Sequence, residues 1–138
     1  MSVLGELQPN KVFKYFEEIC SIPHGSRNLQ QISDYLVDFA KAHELKYRQD
    51  EDLNVIIWKD GSKGYEASEP VILQGHMDMV AVKEADCDKD MEKEGLDLEI
   101  NGDYISAKGT SLGGDDGIAV AYTLAVLDDE EMAHPPIE

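Results

Sequence analysis

Val71–Val80 reads VILQGHMDMV. In a pleated strand, successive side chains point to opposite faces, so Ile72, Gln74, His76 and Asp78 share one face and Val71, Leu73, Gly75 and Met77 the other. Both faces begin apolar, which predicts a strand inside a sheet and covered on each side, as in an α/β layer structure. Pro70 opens the strand. At its far end a histidine and an acid, two residues apart, leave the same face.

The flanking sequence alternates helical and extended patterns. Before the strand, Val12, Phe13, Phe16, Ile19 and Cys20 recur at a spacing of three and four, predicting a helix that ends before Pro23. Leu29, Ile32, Leu36, Phe39 and Ala40 predict a second helix, reaching about His43. Strands are predicted at Leu45–Gln49 and Leu53–Lys59. After the strand, the acidic run KEADCDKDMEKEG leads to LDLEI, a turn at Asn101 and Gly102, and DYISA, which together predict a hairpin. In DDGIAVAYTLAVLDDEEM, Ile118, Ala121, Tyr122, Ala125 and Val126 mark a helix apolar nearly all round, hence a buried one. Pro135 and Pro136 break it, and Ile137 reads as the first residue of another strand. The expected fold is an α/β/α sandwich with a central mixed sheet. No internal repeat or linker divides the chain.

Twelve lysines and arginines stand against 29 aspartates and glutamates, a formal charge of -17 over 138 residues. That balance repels phosphates and argues against nucleic-acid and anionic-membrane partners; cations are the natural ones. No apolar run approaches the roughly 20 residues that span a bilayer, and the N-terminus lacks the pattern of a secretory signal, so a cytoplasmic protein is expected. Cys20 and Cys87 match neither a disulfide framework nor a zinc-ligand spacing.

A lone histidine at a strand end is usually a hydrogen-bonded structural residue. A second acidic group changes the weighing. In TSLGGDDGIAVA, Asp115 and Asp116 stand where a glycine-rich loop enters an apolar helix. An acid there caps the helix and suits its dipole, which accounts for one aspartate. Two acids at the head of a buried helix carry a desolvation cost that a bound dication removes, and imidazole with carboxylate is a donor set that zinc takes. The residues alone leave capping and metal binding both open.

LQGHMDMV, KGTSLGGDDGIAVA and TLAVLDDEEMAHPPIE, with CSIPHGSRN as the Pro-containing turn after the first helix, resemble the amino-terminal part of the aminoacyl-histidine (Xaa-His) dipeptidase family of cytosolic di-zinc metallopeptidases. The resemblance runs over nearly all 138 residues. It implies that residues 1–138 are the first part of an incomplete metallopeptidase catalytic domain, with the remaining catalytic segments and a second domain outside them. It implies His76 as a ligand of one zinc, Asp78 as the acid that orients its imidazole, and Asp115 as the bridge between two zinc ions, with cobalt or manganese as alternative ions. Asp116 would follow Asp115 across a peptide bond like the family's cis linkage. The general base and the other ligands would lie downstream. Substrates would be dipeptides, Xaa-His dipeptides such as carnosine among them, cleaved by a metal-activated water, and the complete protein could form a homodimer.

Two rival readings are weighed against this one. Asp86, Asp88 and Asp90 fall at the first, third and fifth positions of a calcium loop, but Met91 stands where that loop needs glycine and Asp97 where it needs the longer glutamate. Alternatively, the chain is a non-catalytic fragment or acidic metal-binding module.

Overall fold

In the computed structural model, which describes residues 1–138, helix α1 spans Asn10–Cys20 and helix α2 spans Gln30–Ala42, where the apolar spacing places them. α1 buries Val12, Tyr15, Phe16, Ile19 and Cys20 along one face, and α2 buries Ile32, Leu36, Phe39 and Ala40. Burial pushes the Cys20 thiol up to about 12, so it is an inert core group. Cys87 is also a free thiol.

Strands β1 (Lys46–Gln49) and β2 (Val55–Trp58) pair antiparallel, from Lys46 opposite Trp58 to Gln49 opposite Val55. Their turn is held by Asp50, whose carboxylate accepts the backbone N–H groups of Asp52 and Asn54 at 3.0 and 2.9 Å. Strands β3 (Leu98–Asn101) and β4 (Tyr104–Ala107) form the expected hairpin, with Gly102 at φ 61° in the turn. Helix α3 runs Gly114–Asp128 and packs against α1. The class is α/β, as predicted.

The strand that anchored the sequence reading is the point of difference. Residues 71–80 are not a continuous strand; they pair only through isolated bridges, Val71 parallel to Ile137 and Met79 parallel to Gly25. Ile137 also pairs antiparallel with Lys59, so the order β1, β2, Ile137, Val71 is a mixed sheet in outline. Ile137 thus sits between the end of β2 and Val71. The ladder at Val71 runs only to the bond from Leu73 N–H to the Glu138 carbonyl at 2.9 Å. Ile72 is 69 % exposed, and the expectation that both faces of this segment are covered does not hold. The apolar alternation was right about the extended backbone and wrong about its place in the sheet.

α3 likewise departs from the reading of a fully buried helix. It buries Gly117, Ala121, Leu124 and Leu127, while Tyr122 is exposed. One face meets α1; Val120, Thr123 and Leu127 instead line an open apolar groove shared with Leu36, Ile57 and Leu73.

The C-terminal end of α3 is fastened to β2's neighbour. Lys59 Nζ donates to the carbonyls of Leu127 at 2.9 Å and Asp129 at 2.6 Å, occupying acceptors that a helix end leaves unpaired. Burial lowers the Lys59 pKa, opposed by the nearby Asp129 and Asp128 carboxylates. Lys59→Met keeps the stem and removes the donor; urea unfolding should show a loss of about 1–3 kcal/mol, as expected when half-buried carbonyls lose a charged partner. Unchanged stability would mean that water caps the helix end equally well.

Candidate metal centre

Two glycines shape the approach of α3 to residues 74–79. Gly113 has φ 71°, and a Cβ there would stand 2.9 Å from Met79 Sδ, so the loop turns left-handed against Met79 and delivers the head of α3 to the end of the extended segment. Asp115 and Asp116 occupy that head with non-helical backbone angles, joined by a cis peptide bond. The expected linkage is present.

His76 meets an acid at each ring nitrogen. Its Nδ1 lies 3.0 Å from Asp78 Oδ1 and 3.0 Å from the Asp78 carbonyl, while Nε2 lies 3.0 Å from Asp115 Oδ1. Acceptors face both ring nitrogens, two at Nδ1 and one at Nε2, so the ring can donate on either side. In the tautomer whose Nδ1–H donates to Asp78, Nε2 is the atom that a cation or a second proton would take. The flanking carboxylates, Asp115 above all, hold the imidazole pKa above its ordinary value. The Ser26 hydroxyl, donating to Asp78 Oδ2 at 2.6 Å, is the chief reason that carboxyl is held below its usual range, with His76 adding to it.

The capping account of the aspartate pair does not describe this arrangement. The N-cap of α3 is Gly113, without a side-chain cap bond. Asp115 turns to the His76 ring, and Asp116 Oδ2 accepts the His76 backbone N–H at 3.3 Å. Both acids are engaged with the histidine, one with its side chain and one with its backbone. Gly75 allows this closeness, since a Cβ there would be 3.0 Å from Asp116 Oδ2.

The donor set fits part of a metal site. Two ligands on one tetrahedral zinc, each at roughly 2.0–2.1 Å, stand about 3.3 Å apart. The 3.0 Å between His76 Nε2 and Asp115 Oδ1 is close to that separation, and the Asp115 side chain is 96 % exposed, leaving its other oxygen accessible. Nowhere in the chain do three or more ligating side chains gather. His76 and Asp115 therefore fit two ligand positions, and Asp78 fits the carboxylate behind an imidazole ligand.

Two acids of the calcium-like run are occupied otherwise. Asp90 accepts the Glu92 N–H at 3.0 Å and pairs with Lys93 at 3.2 Å, and Asp97 pairs with Lys89 at 3.1 Å. His134 is buried in its loop with Nδ1 2.7 Å from the Pro135 carbonyl. The residue that sequence reasoning passed over is Ser26, visible there only as part of a turn.

No family model matches the chain. Over all 138 residues it is 41% identical to the cytosol non-specific dipeptidase of Escherichia coli (strain K12), of which it spans 28%. Among solved structures, the aminoacylhistidine dipeptidase from Vibrio alginolyticus matches 97% of the chain at 39% identity and a TM-score of 0.94, over 27% of its own length. A tripeptidase from Staphylococcus aureus matches 96% of the chain at 23% identity and a TM-score of 0.73, a likeness of fold. The chain thus spans little more than a quarter of the dipeptidases that it matches, a length that fits their amino-terminal part.

Proposed function

We propose that this chain, alike over 97% of its length to an aminoacylhistidine dipeptidase, supplies two ligands of a di-zinc centre that hydrolyses dipeptides. The observation that carries the reading is the meeting of His76 Nε2 and Asp115 Oδ1 at 3.0 Å, across 39 residues of sequence, with Asp78 behind the ring. Bound zinc would lower the pKa of a water and polarise the scissile carbonyl. His76 would hold one ion through Nε2. Asp78 holds the proton on Nδ1 and fixes the plane of the ring. Asp115 would hold the metal from beside His76, and its exposed carboxylate leaves room for a second ion. Asp116 holds the backbone of His76 in place through its N–H.

Residues 1–138 are in this reading the first part of the catalytic domain, with the general base, the remaining ligands and a second domain supplied by other segments. Xaa-His dipeptides such as carnosine are the proposed substrates, in the cytoplasm, with homodimerisation a property of the complete protein. No helix of the chain is long and apolar enough to cross a membrane.

Full-length protein should hydrolyse carnosine, lose that activity to a chelator, and regain it with zinc, cobalt or manganese. Full activity after complete metal removal would overturn the reading. The absence of any three-ligand cluster favours a second reading for the 138 residues in isolation, as a weak metal-binding module. The purified 138-residue chain, assayed beside the full-length protein, should bind zinc weakly and turn over no carnosine. Turnover by the short chain would show that it holds a complete site.

A further inference from the structure

We propose that Ser26 is a positioning residue of this centre, holding the Asp78 carboxylate so that its other oxygen stays on His76. The inference rests on the metal reading given above and extends it by one residue along a hydrogen-bonded chain, Ser26 to Asp78 to His76. Ser26 Oγ is 2.6 Å from Asp78 Oδ2 and 3.4 Å from the Met79 carbonyl, so its proton goes to the carboxylate. Asp78 Oδ1 is then left for His76 Nδ1 at 3.0 Å. Each carboxylate oxygen has one donor, and the plane of the group is fixed by a contact at either end.

The backbone places the serine where it can do this. Ser26 N–H donates to the Met79 carbonyl at 3.0 Å and Met79 N–H donates to the His24 carbonyl at 3.0 Å, so the loop runs as a short parallel bridge beside the extended segment. Gly25 makes that approach feasible: a Cβ there would lie 2.8 Å from the Cβ of Ala81. The side chains of Asp78 and His76 are 36 % and 50 % exposed, so without a fixed donor the carboxylate would turn toward water. An imidazole whose orienting acid turns away loses both its fixed tautomer and its direction.

The test uses full-length protein and zinc alone as the probe, titrated in competition with a chromophoric chelator, followed by kcat and KM at saturating zinc. Ser26→Ala should weaken zinc binding about tenfold to a hundredfold, the range found when an orienting partner of a metal ligand is removed. It should lower kcat with KM within about twofold, because substrate contacts are untouched. Ser26→Thr, which keeps the hydroxyl, should restore both, and a thermal unfolding scan of the metal-free variants controls for folding, since the backbone bonds of residue 26 do not need the side chain. His76→Ala separates the two ideas. If it abolishes zinc binding while Ser26→Ala binds as wild type, the serine has no positioning role and the metal reading stands. If His76→Ala leaves zinc binding unchanged, the metal reading fails and the serine proposal with it. Loss in Ser26→Ala without rescue by threonine would likewise overturn the proposal.

Discussion

Asp115→Ala in the full-length protein should abolish stable metal loading and reduce kcat/KM by a factor of about 1000 or more, equivalent to about 4 kcal/mol of lost transition-state stabilisation. Asp115 Oδ1 is the carboxylate oxygen facing His76 Nε2, so alanine leaves a single imidazole on this side of the centre. Asp116 is poorly placed to take over. Its Oδ2 accepts the backbone N–H of His76, and a Cβ on Gly75 would stand 3.0 Å from that oxygen. The fold should survive the change, because the Asp115 side chain is almost fully exposed and caps no helix N–H. Metal content by elemental analysis, carnosine turnover and metal-free thermal unfolding together check the prediction. A variant with wild-type metal content and wild-type turnover would remove Asp115 from the centre.

What could be read from the sequence divides along a physical line. The helices α1 and α2 follow from local spacing: Val12, Phe16 and Ile19, or Ile32, Leu36 and Phe39, bury themselves because they share a stripe. The pleat places His76 and Asp78 on one side of an extended chain, and the glycine loop announces a backbone bent for closeness at Asp115. Those are local properties. Burial depends on which partners arrive, and here the pattern misled: Ile72 and Tyr122 lie in apolar runs yet are exposed. Capping could account for one of the two acids before the helix and left metal binding open beside it; the contacts with His76 show both acids turned elsewhere. Ser26 is a case of the same kind. It contacts Asp78 from 52 residues away, through a backbone bridge between Gly25 and Met79 that no periodicity records.

Gly117→Leu should cost about 3 kcal/mol or more of stability, and it should weaken metal binding as well. Gly117, Ala121 and Leu124 form the buried face of α3 that meets α1. A Cβ on Gly117 would already stand 3.3 Å from Phe16 Cε2 and 3.9 Å from Ile19 Cγ2, both of them core side chains of α1. Alanine asks the Phe16 ring to yield by a few tenths of an ångström, against a gain in helix propensity of about 1 kcal/mol, so its net effect should be near zero. Leucine adds three more carbons where packing leaves no room, and overpacking of this kind costs typically about 1–3 kcal/mol and more where a backbone must shift. The helix is the element that would move, and its head carries Asp115 two residues upstream. Displacing α3 from α1 therefore draws Asp115 Oδ1 off His76 Nε2, while Asp115→Ala spares the helix interface. Urea unfolding and zinc competition on both variants should separate them: Gly117→Leu loses stability and zinc affinity together, and Asp115→Ala loses zinc affinity alone. A leucine variant that unfolds at the wild-type midpoint would show that α1 and α3 are not packed as closely as the Gly117–Phe16 contact requires.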